Sequence, residues 1–222
     1  MTNTPGLAQD PAEPFDVLRA DGTATGRVKA RAAVHRDGDW HRALHVWIAG
    51  RDGAGEPFLM FQRRSADKDS WPNHYDTTVG GHFRAGETLT ETLREMEEEI
   101  GLPAADLALR YLGTRRSVSE QPTLVDRELQ DVYLVVDDRP LSAYRPHPLE
   151  LSALARFPLR DLLPFFAGEV ADVHGDAVTP EDATPTPVRA TLAEFIPRLD
   201  RYNLRMAIAA SNVLRGDRYV AV

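Results

Sequence analysis

The chain has 222 residues and a net charge of −8, with 26 Lys and Arg against 34 Asp and Glu. Hydrophobic residues make up 42% and charged residues 27%, the balance of a globular protein with a sizeable core. The acidic balance does not suggest sequence-independent nucleic-acid binding, which needs a positive surface, so no nucleic-acid partner is expected. The lack of cysteine excludes disulfides, thiolate nucleophiles and Cys-bound zinc. Because the sequence has no membrane-length apolar run and no signal pattern, we expect a cytoplasmic protein without a membrane partner.

The sequence predicts a single domain over residues 15–216, preceded by a disordered tail. Residues 1–14 are polar and rich in proline, which is typical of a tail. The expected parts of the domain are an N-terminal hairpin over 15–33, a core over 34–168, an exposed loop over 170–187 and a C-terminal helix over about 200–215.

Three histidines, His35, His41 and His45, fall within eleven residues after the hairpin. Their spacings of six and four match no common zinc-ligand pattern, and no cysteine accompanies them. The interpretation that they frame a loop and the start of a strand is favoured over a contact with substrate.

Two strands are predicted next, over 44–49 and 57–63, joined by a turn. The second ends at a basic cluster formed by Arg63, Arg64 and Lys68. Guanidinium groups offer phosphate a planar, bidentate fork, so the cluster is either a phosphate-binding element or a solvated surface loop. Large aromatic residues nearby could stack on a base or enclose a prenyl chain, although core packing is the commoner use: Trp40, Trp47, Trp71 and Tyr75.

The stretch from Gly80 to Leu102 predicts a glycine turn followed by an acidic helix that begins near Thr88 or Thr90 and ends at Gly101. At about 100° per residue, four apolar side chains share one stripe: Leu89, Leu93, Met96 and Ile100. Four carboxylates share another face: Glu91, Glu95, Glu98 and Glu99. Because like charges repel on a helix, this face is either solvated surface or the ligand set of a hard divalent cation.

Beyond this helix the sequence predicts strands over 107–112 and 126–136, separated by a polar loop over 113–123, and a helix over 157–166. Glu128 lies near the start of the second strand. We expect that strand to run beside the acidic helix, which makes Glu128 a candidate site residue.

The acidic helix and its turn resemble the signature box of the Nudix hydrolases. The matching residues are Gly81, Glu87 and the run Arg94-Glu95-Met96-x-Glu98-Glu99-x-Gly101-Leu102. The family places seven residues between the first glutamate and the arginine, whereas this chain has six, Thr88 to Leu93. The position of Glu87 relative to the metal site and to Arg94 is therefore open.

The resemblance implies an α/β fold, namely an α/β/α sandwich with a mixed β-sheet and a loop–helix–loop catalytic box. It implies Mg²⁺, or Mn²⁺, bound by Glu95, Glu98 and Glu99, with Arg94 orienting a carboxylate. Met96 and Leu102 match the positions that anchor the box helix, and Gly81 and Gly101 match its turns.

A narrower resemblance is to the branch that contains isopentenyl diphosphate isomerase and related hydrolases. It rests on Arg63-Arg64, Lys68 and Pro72, on Gly81-His82, and on Asp126-x-Glu128. The isomerase carries a cysteine immediately before its Gly-His pair, and this chain has Gly80 there. Without a thiol for proton transfer, hydrolysis is favoured over isomerisation.

These features predict a metal-dependent hydrolase of a diphosphate linkage in a nucleoside diphosphate derivative or an isoprenyl diphosphate. Glu98 or Glu128 is the predicted general base, and the predicted substrate-binding residues are Arg63, Arg64, Lys68 and His82. The alternatives are a non-catalytic ligand-binding domain on the same scaffold and, less favoured, an isomerase. Oligomeric state stays open, with a homodimer among the alternatives.

Overall fold

The computed structural model describes residues 10–68, 70–121 and 124–222, and its centre is a mixed β-sheet. The strands of the described residues are β1 Pro14–Leu18, β2 Ala24–Ala30, β3 Trp40–Arg51, β4 Pro57–Arg64, β5 Tyr75–Asp76, β6 Val79–His82, β7 Arg110–Gln121, β8 Leu124–Val136, β9 Leu151–Pro158, β10 Asp172–Val178 and β11 Thr186–Thr191. The α-helices are α1 Arg31–Asp37, α2 Leu89–Thr92, α3 Arg94–Ile100, α4 Leu159–Ala167 and α5 Tyr202–Leu214. Within the described ranges, no helix is long and apolar enough to cross a membrane.

Strand β3 is the hub of the sheet. It pairs antiparallel with β1, β4 and β6, and parallel with β8. The main path of neighbouring strands is β11-β10-β9-β4-β3-β1-β2, while β7 continues the sheet beyond β8. The parallel register places His41 of β3 opposite Glu128 of β8. Strand β3 thus brings His41 next to the acidic residues of β8.

Alternating side chains of β3 and β4 pack into two hydrophobic cores on opposite faces of the sheet. Trp47 and Phe61 pack on one face, under α4 and α5. Val46 and Met60 pack on the other face, under α3. Helices therefore cover both faces, which confirms the predicted sandwich with a mixed sheet.

The acidic helix is interrupted once. Helix α2 begins with a capping box formed by Thr88 and Glu91, in which the Thr88 amide donates to Glu91 Oε2 at 2.8 Å. Helix α3 follows after Leu93. Met96 and Ile100 are fully buried, and Leu89 and Leu93 pack against the same core. The predicted apolar stripe is confirmed, and the Gly101 backbone is left-handed at φ 68°, as expected for its terminating role.

Two predicted loops are strands. Much of 170–187 belongs to the hairpin of β10 and β11, and residues 113–121 belong to β7. Strand β10 lacked a clear apolar pattern because Gly175 interrupts it, where an added Cβ would lie 2.2 Å from the Arg156 carbonyl oxygen of β9. The predicted strand over 107–112 overlaps the start of β7, but its continuation was missed because the inward residues there, Ser117 among them, are polar.

The predicted tail is packed in its last part. Residues 1–9 lie outside the described residues, but the Glu13 carbonyl accepts from the Arg31 amide at 2.7 Å, and β1 begins at Pro14. Strand β1 also contacts the turn of the box that precedes helix α2. The Ala85 amide donates to the Pro14 carbonyl at 2.8 Å, and the Gly86 amide donates to Asp16 Oδ2 at 2.7 Å.

Candidate active site

The box helix rests against the two glycines of β6. An added Cβ on Gly81 would lie 2.6 Å from Glu95 Cγ, so only glycine allows this close approach. The Gly80 amide donates to Glu99 Oε2 at 3.4 Å. Glu98 lies about one helical turn after Glu95 on α3, and its side chain is 58% exposed. Of the three predicted metal ligands, two are therefore held against β6 and one reaches solvent.

Arg94 connects the glutamates of the box. It forms an ion pair with Glu87 Oε1, donates to Glu95 Oε1 at 2.9 Å, and lies 3.7 Å from Glu98 Oε1. Glu87 Oε2 also accepts from the Arg84 amide at 2.9 Å. Glu87 is thus bound to the turn and to Arg94, despite the missing residue in the box.

The buried carboxylates of the box are short of positive charge. Burial raises the pKa of Glu95 to about 7, against the opposing effect of Arg94. Burial also raises the pKa of Glu99 well above its ordinary value, opposed by the nearby Lys68 ammonium. Oxygen donors with incomplete charge compensation suit a hard divalent cation, so Glu95, Glu98 and Glu99 fit the Mg²⁺ implied by the sequence.

A second titratable cluster lies beside His82 of β6. One donor atom from each of four residues falls within 4.8 Å of the other three: His35, His41, His82 and Asp126. His41 Nε2 is 3.4 Å from Asp126 Oδ1, and His82 Nε2 is 3.0 Å from Glu128 Oε1. We call these four residues with Glu128 the histidine cluster. Successive side chains of a strand point to opposite faces, so His82 and the Gly81–Glu95 contact lie on opposite faces of β6.

The histidine cluster is arranged around the ring of Phe15. This ring stacks on His41 at 5.3 Å and on His82 at 5.0 Å between centroids. Strand β1 supplies Phe15, helix α1 supplies His35, and strands β3, β6 and β8 supply the rest. The sequence interpretation of His35 and His41 as framing residues missed this cluster, because its members come from four separate elements.

The electrostatics of the histidine cluster also fit a cation. Burial lowers the pKa of His35 to about 4 and that of His82 to about 3, so both imidazoles are neutral at pH 7. Burial and the Glu128 carboxylate raise the pKa of Asp126 well above its ordinary value. Within the described part of the chain, three buried atoms of this cluster have no hydrogen-bond partner: His35 Nε2, His41 Nε2 and Asp126 Oδ1. Neutral imidazoles with a carboxylate form a donor set that suits a first-row transition metal.

Glu128 belongs to the histidine cluster and not to the box. Burial alone would raise its pKa, but the hydrogen bond with His82 and the neighbouring imidazoles hold it well below the ordinary range. Its Oε2 also accepts from Gln130 Nε2. The two candidates for the general base, Glu98 and Glu128, therefore lie in different places.

A cavity of about 90 Å³ lies between the histidine cluster and the chain before the box. Arg64, His82 and Glu128 line it, together with Arg31 and Arg198, which the sequence analysis did not single out. Arg63 is not among the residues that line the cavity, because successive side chains of a strand point to opposite faces. Its Nε donates to the Asn73 carbonyl at 3.0 Å.

The remaining predicted contacts divide between the site and the core. Lys68 forms an ion pair with Glu150 and is not among the residues that line the cavity. Trp71 lines the cavity, whereas Trp47 and Tyr75 are core residues and Trp40 is half-buried. His45 lies at the cavity with its Nδ1 3.1 Å from Tyr202 Oη.

The NUDIX domain family matches residues 39–199, which is well over half of the chain. The chain belongs to the Nudix family. It therefore carries a Nudix hydrolase domain, as the box predicted.

Individual proteins agree with this assignment. The chain is similar to Nudix hydrolase 3 of Arabidopsis thaliana, with 40% identity over 162 residues, covering 71% of this chain and 21% of the relative. It is also similar to an isopentenyl-diphosphate Delta-isomerase of Rhizobium rhizogenes, with 35% identity over 89 residues, covering 40% and 41%. The match thus spans less than half the length of either relative.

A solved structure supports the fold. The crystal structure of DR0079 from Deinococcus radiodurans aligns with a TM-score of 0.53 and 24% identity, covering 70% of this chain and 90% of that one. In this chain, β10, β11 and α5 follow the strands that hold the site.

Proposed function

We propose that this Nudix protein hydrolyses a diphosphate linkage in a nucleoside diphosphate derivative or an isoprenyl diphosphate, with Mg²⁺ or Mn²⁺ bound by Glu95, Glu98 and Glu99. The observation that carries the proposal is the position of the box carboxylates. Glu95 and Glu99 are held against Gly81 and Gly80 of β6, and the same strand ends at His82 in the guanidinium-lined cavity.

The protein's own groups have distinct roles in this proposal. Arg94 fixes the carboxylate of Glu95 and ties it to Glu87. Glu98 is the exposed carboxylate of the box and accepts the proton of the attacking water as general base. Arg64 binds phosphate oxygens at the cavity. A divalent cation on the box would supply charge neutralisation of the phosphates and a lower pKa for bound water.

We further propose that the histidine cluster is a second cation site. Its support is the four convergent donor atoms and the three buried atoms without a hydrogen-bond partner. Glu128, whose pKa is low, stays ionised beside His82 and contributes a further oxygen donor. This role makes Glu128 a ligand candidate and leaves Glu98 as the general base.

A panel of diphosphates, assayed for phosphate release with and without Mg²⁺, tests the proposed hydrolysis. We expect turnover that exhaustive EDTA treatment abolishes and Mg²⁺ restores. Turnover undiminished by EDTA would contradict the metal role. Saturable binding of a diphosphate without any phosphate release would instead support the non-catalytic alternative.

A further inference from the structure

The wall of the cavity opposite the histidine cluster carries two buried guanidinium groups on one carboxylate. Arg198 Nη2 donates to Asp76 Oδ1 at 2.9 Å, and Arg64 Nη1 lies 3.7 Å from Asp76 Oδ2. The three side chains are 12–15% exposed. Asp76 is hydrogen-bonded to Arg198 and shared with Arg64, while the Glu128 carboxylate in the same cavity acts on Arg198 from a distance. The two guanidinium groups therefore share one directly paired carboxylate, and a phosphate would give them a second anionic partner.

Arg198 has hydrogen-bonding capacity to spare. Its Nε atom is buried and has no hydrogen-bond partner among the residues that the structure describes, and the side chain lines the cavity. Arg64, in contrast, is fixed by the Ser70 residue, whose carbonyl accepts from Arg64 Nε at 3.0 Å. Arg64 is therefore preset, while Arg198 presents an unused donor.

The segment that carries Arg198 is firmly attached next to the box. The Ile196 amide donates to the Tyr75 carbonyl at 3.1 Å, and the Phe195 and Tyr75 rings lie 5.0 Å apart. Asp76 directly follows Tyr75, so the same short strand β5 holds the segment and orients Arg198. Such an arrangement presents a guanidinium with little loss of conformational freedom on binding.

The size of the cavity limits what it can enclose. At about 90 Å³ it holds roughly six to nine water-sized spheres, at about 10–15 Å³ each. A phosphate group has five non-hydrogen atoms, whereas a nucleoside has many more. The cavity therefore accommodates a phosphate, and the organic part of a substrate lies outside it.

We propose that Arg198 and Arg64 together form a phosphate-binding clamp, and that Arg198 is a substrate-binding residue supplied by the C-terminal segment. The clamp binds the phosphate of the diphosphate that is turned away from the box carboxylates. This inference rests on the proposed function for the identity of the ligand as a diphosphate, but it concerns binding alone.

Isothermal titration of methylenediphosphonate into the full chain, at a fixed Mg²⁺ concentration, tests the clamp. This analogue has a P–C–P bridge that hydrolysis cannot cleave, so binding is measured apart from turnover. We expect Arg198→Met to raise the Kd at least about tenfold, because a charge-assisted hydrogen bond is lost. Arg63→Met is the matched control, since Arg63 is the neighbour of Arg64 but lies outside the cavity, and its Kd should stay within about twofold of wild type.

A Kd for Arg198→Met within twofold of wild type would overturn the proposal, as would an equal loss in Arg63→Met or no binding by wild type. If Arg198→Met unfolds, Arg198→Lys replaces it. Lysine keeps the charge beside Asp76 but loses the planar fork, so we expect a Kd raised at least about threefold at an unchanged Tm. An unchanged Kd in that variant would show that Arg198 only fastens the C-terminal segment. Binding that depends on Arg198 without turnover would refute the proposed hydrolysis and leave the clamp standing.

Discussion

The two faces of β6 carry two sites of different origin and chemistry. On one face, Glu95 packs against Gly81 as part of a continuous sequence motif on one helix. On the other face, His82 meets His41 and Asp126, which come from two other strands. The first site offers oxygen donors and the second mostly nitrogen donors. Under the proposed function, one strand end serves two cation sites of different preference, with the diphosphate bound near both.

The largest effect expected is at the box face. Glu99→Gln should lower kcat/KM at least about a hundredfold, because a buried ligand beside Gly80 would lose its charge. Steady-state kinetics on the diphosphate with the highest turnover provides the measurement. Glu97→Gln is the matched control, since Glu97 is an exposed neighbour on the same helix, and it should leave kcat/KM within about twofold. Equal losses in both variants would remove the distinction between the box face and the solvated face of α3.

The packing of the box helix is tested by Met96→Ala. Met96 is fully buried under the sheet, so its truncation should lower the free energy of unfolding by roughly 2–5 kcal/mol. Urea denaturation measures this loss, and Met96→Leu, which keeps the volume, should cost less than about 1.5 kcal/mol. Unchanged stability in Met96→Ala would show that α3 does not depend on this contact for its position.

Replacement of Glu87 tests whether this residue belongs to the metal site or only holds Arg94 in place. Because Glu87 is bound to Arg94 and to the Arg84 amide, Glu87→Gln should act through Arg94 and lower kcat/KM by less than about tenfold, or about 1.4 kcal/mol. A loss in Glu87→Gln as large as that in Glu99→Gln would make Glu87 a full member of the metal site.

The smallest expected effect is on the pH dependence of the free energy of unfolding, measured in EDTA-treated protein. The residues on the two faces of β6 should contribute to it with opposite slopes. The pKa of Glu95 is raised by burial from 4.5 to about 7, so its contribution to stability falls as pH rises from about 4.5 to 7. The pKa of His35 is lowered by burial from 6.5 to about 4, so its contribution rises as pH rises from about 4 to 6.5.

Two variants separate these opposite slopes. In urea denaturation at several pH values, Glu95→Gln should remove the falling contribution and His35→Asn the rising one. The same sign of change in both variants would contradict the opposite assignment of the two faces.

The sequence was sufficient for the apolar stripe and the glutamates of the box, because both follow from local spacing, and the resemblance of the box to the Nudix signature implied the fold class. It was insufficient for the histidine cluster, since the pairing of β3 with β8 brings His41 to Asp126 over a long sequence separation. Arg198 was missed for the same reason, because only the contact of Phe195 with Tyr75 places it beside Arg64. The continuation of β7 beyond Leu112 was missed because a strand that lines a polar cavity lacks the apolar alternation by which strands are recognised.

The most direct test of the two-site account is Mn²⁺ binding, measured by electron paramagnetic resonance of free Mn²⁺ during a titration of metal-free protein. The account predicts two classes of site in the wild-type chain. Glu99→Gln should lose one class, His82→Ala should lose the other, and His74→Ala, at a half-buried histidine outside the cluster, should keep both. A single class of site in wild type, or the loss of both classes in either Glu99→Gln or His82→Ala, would contradict it.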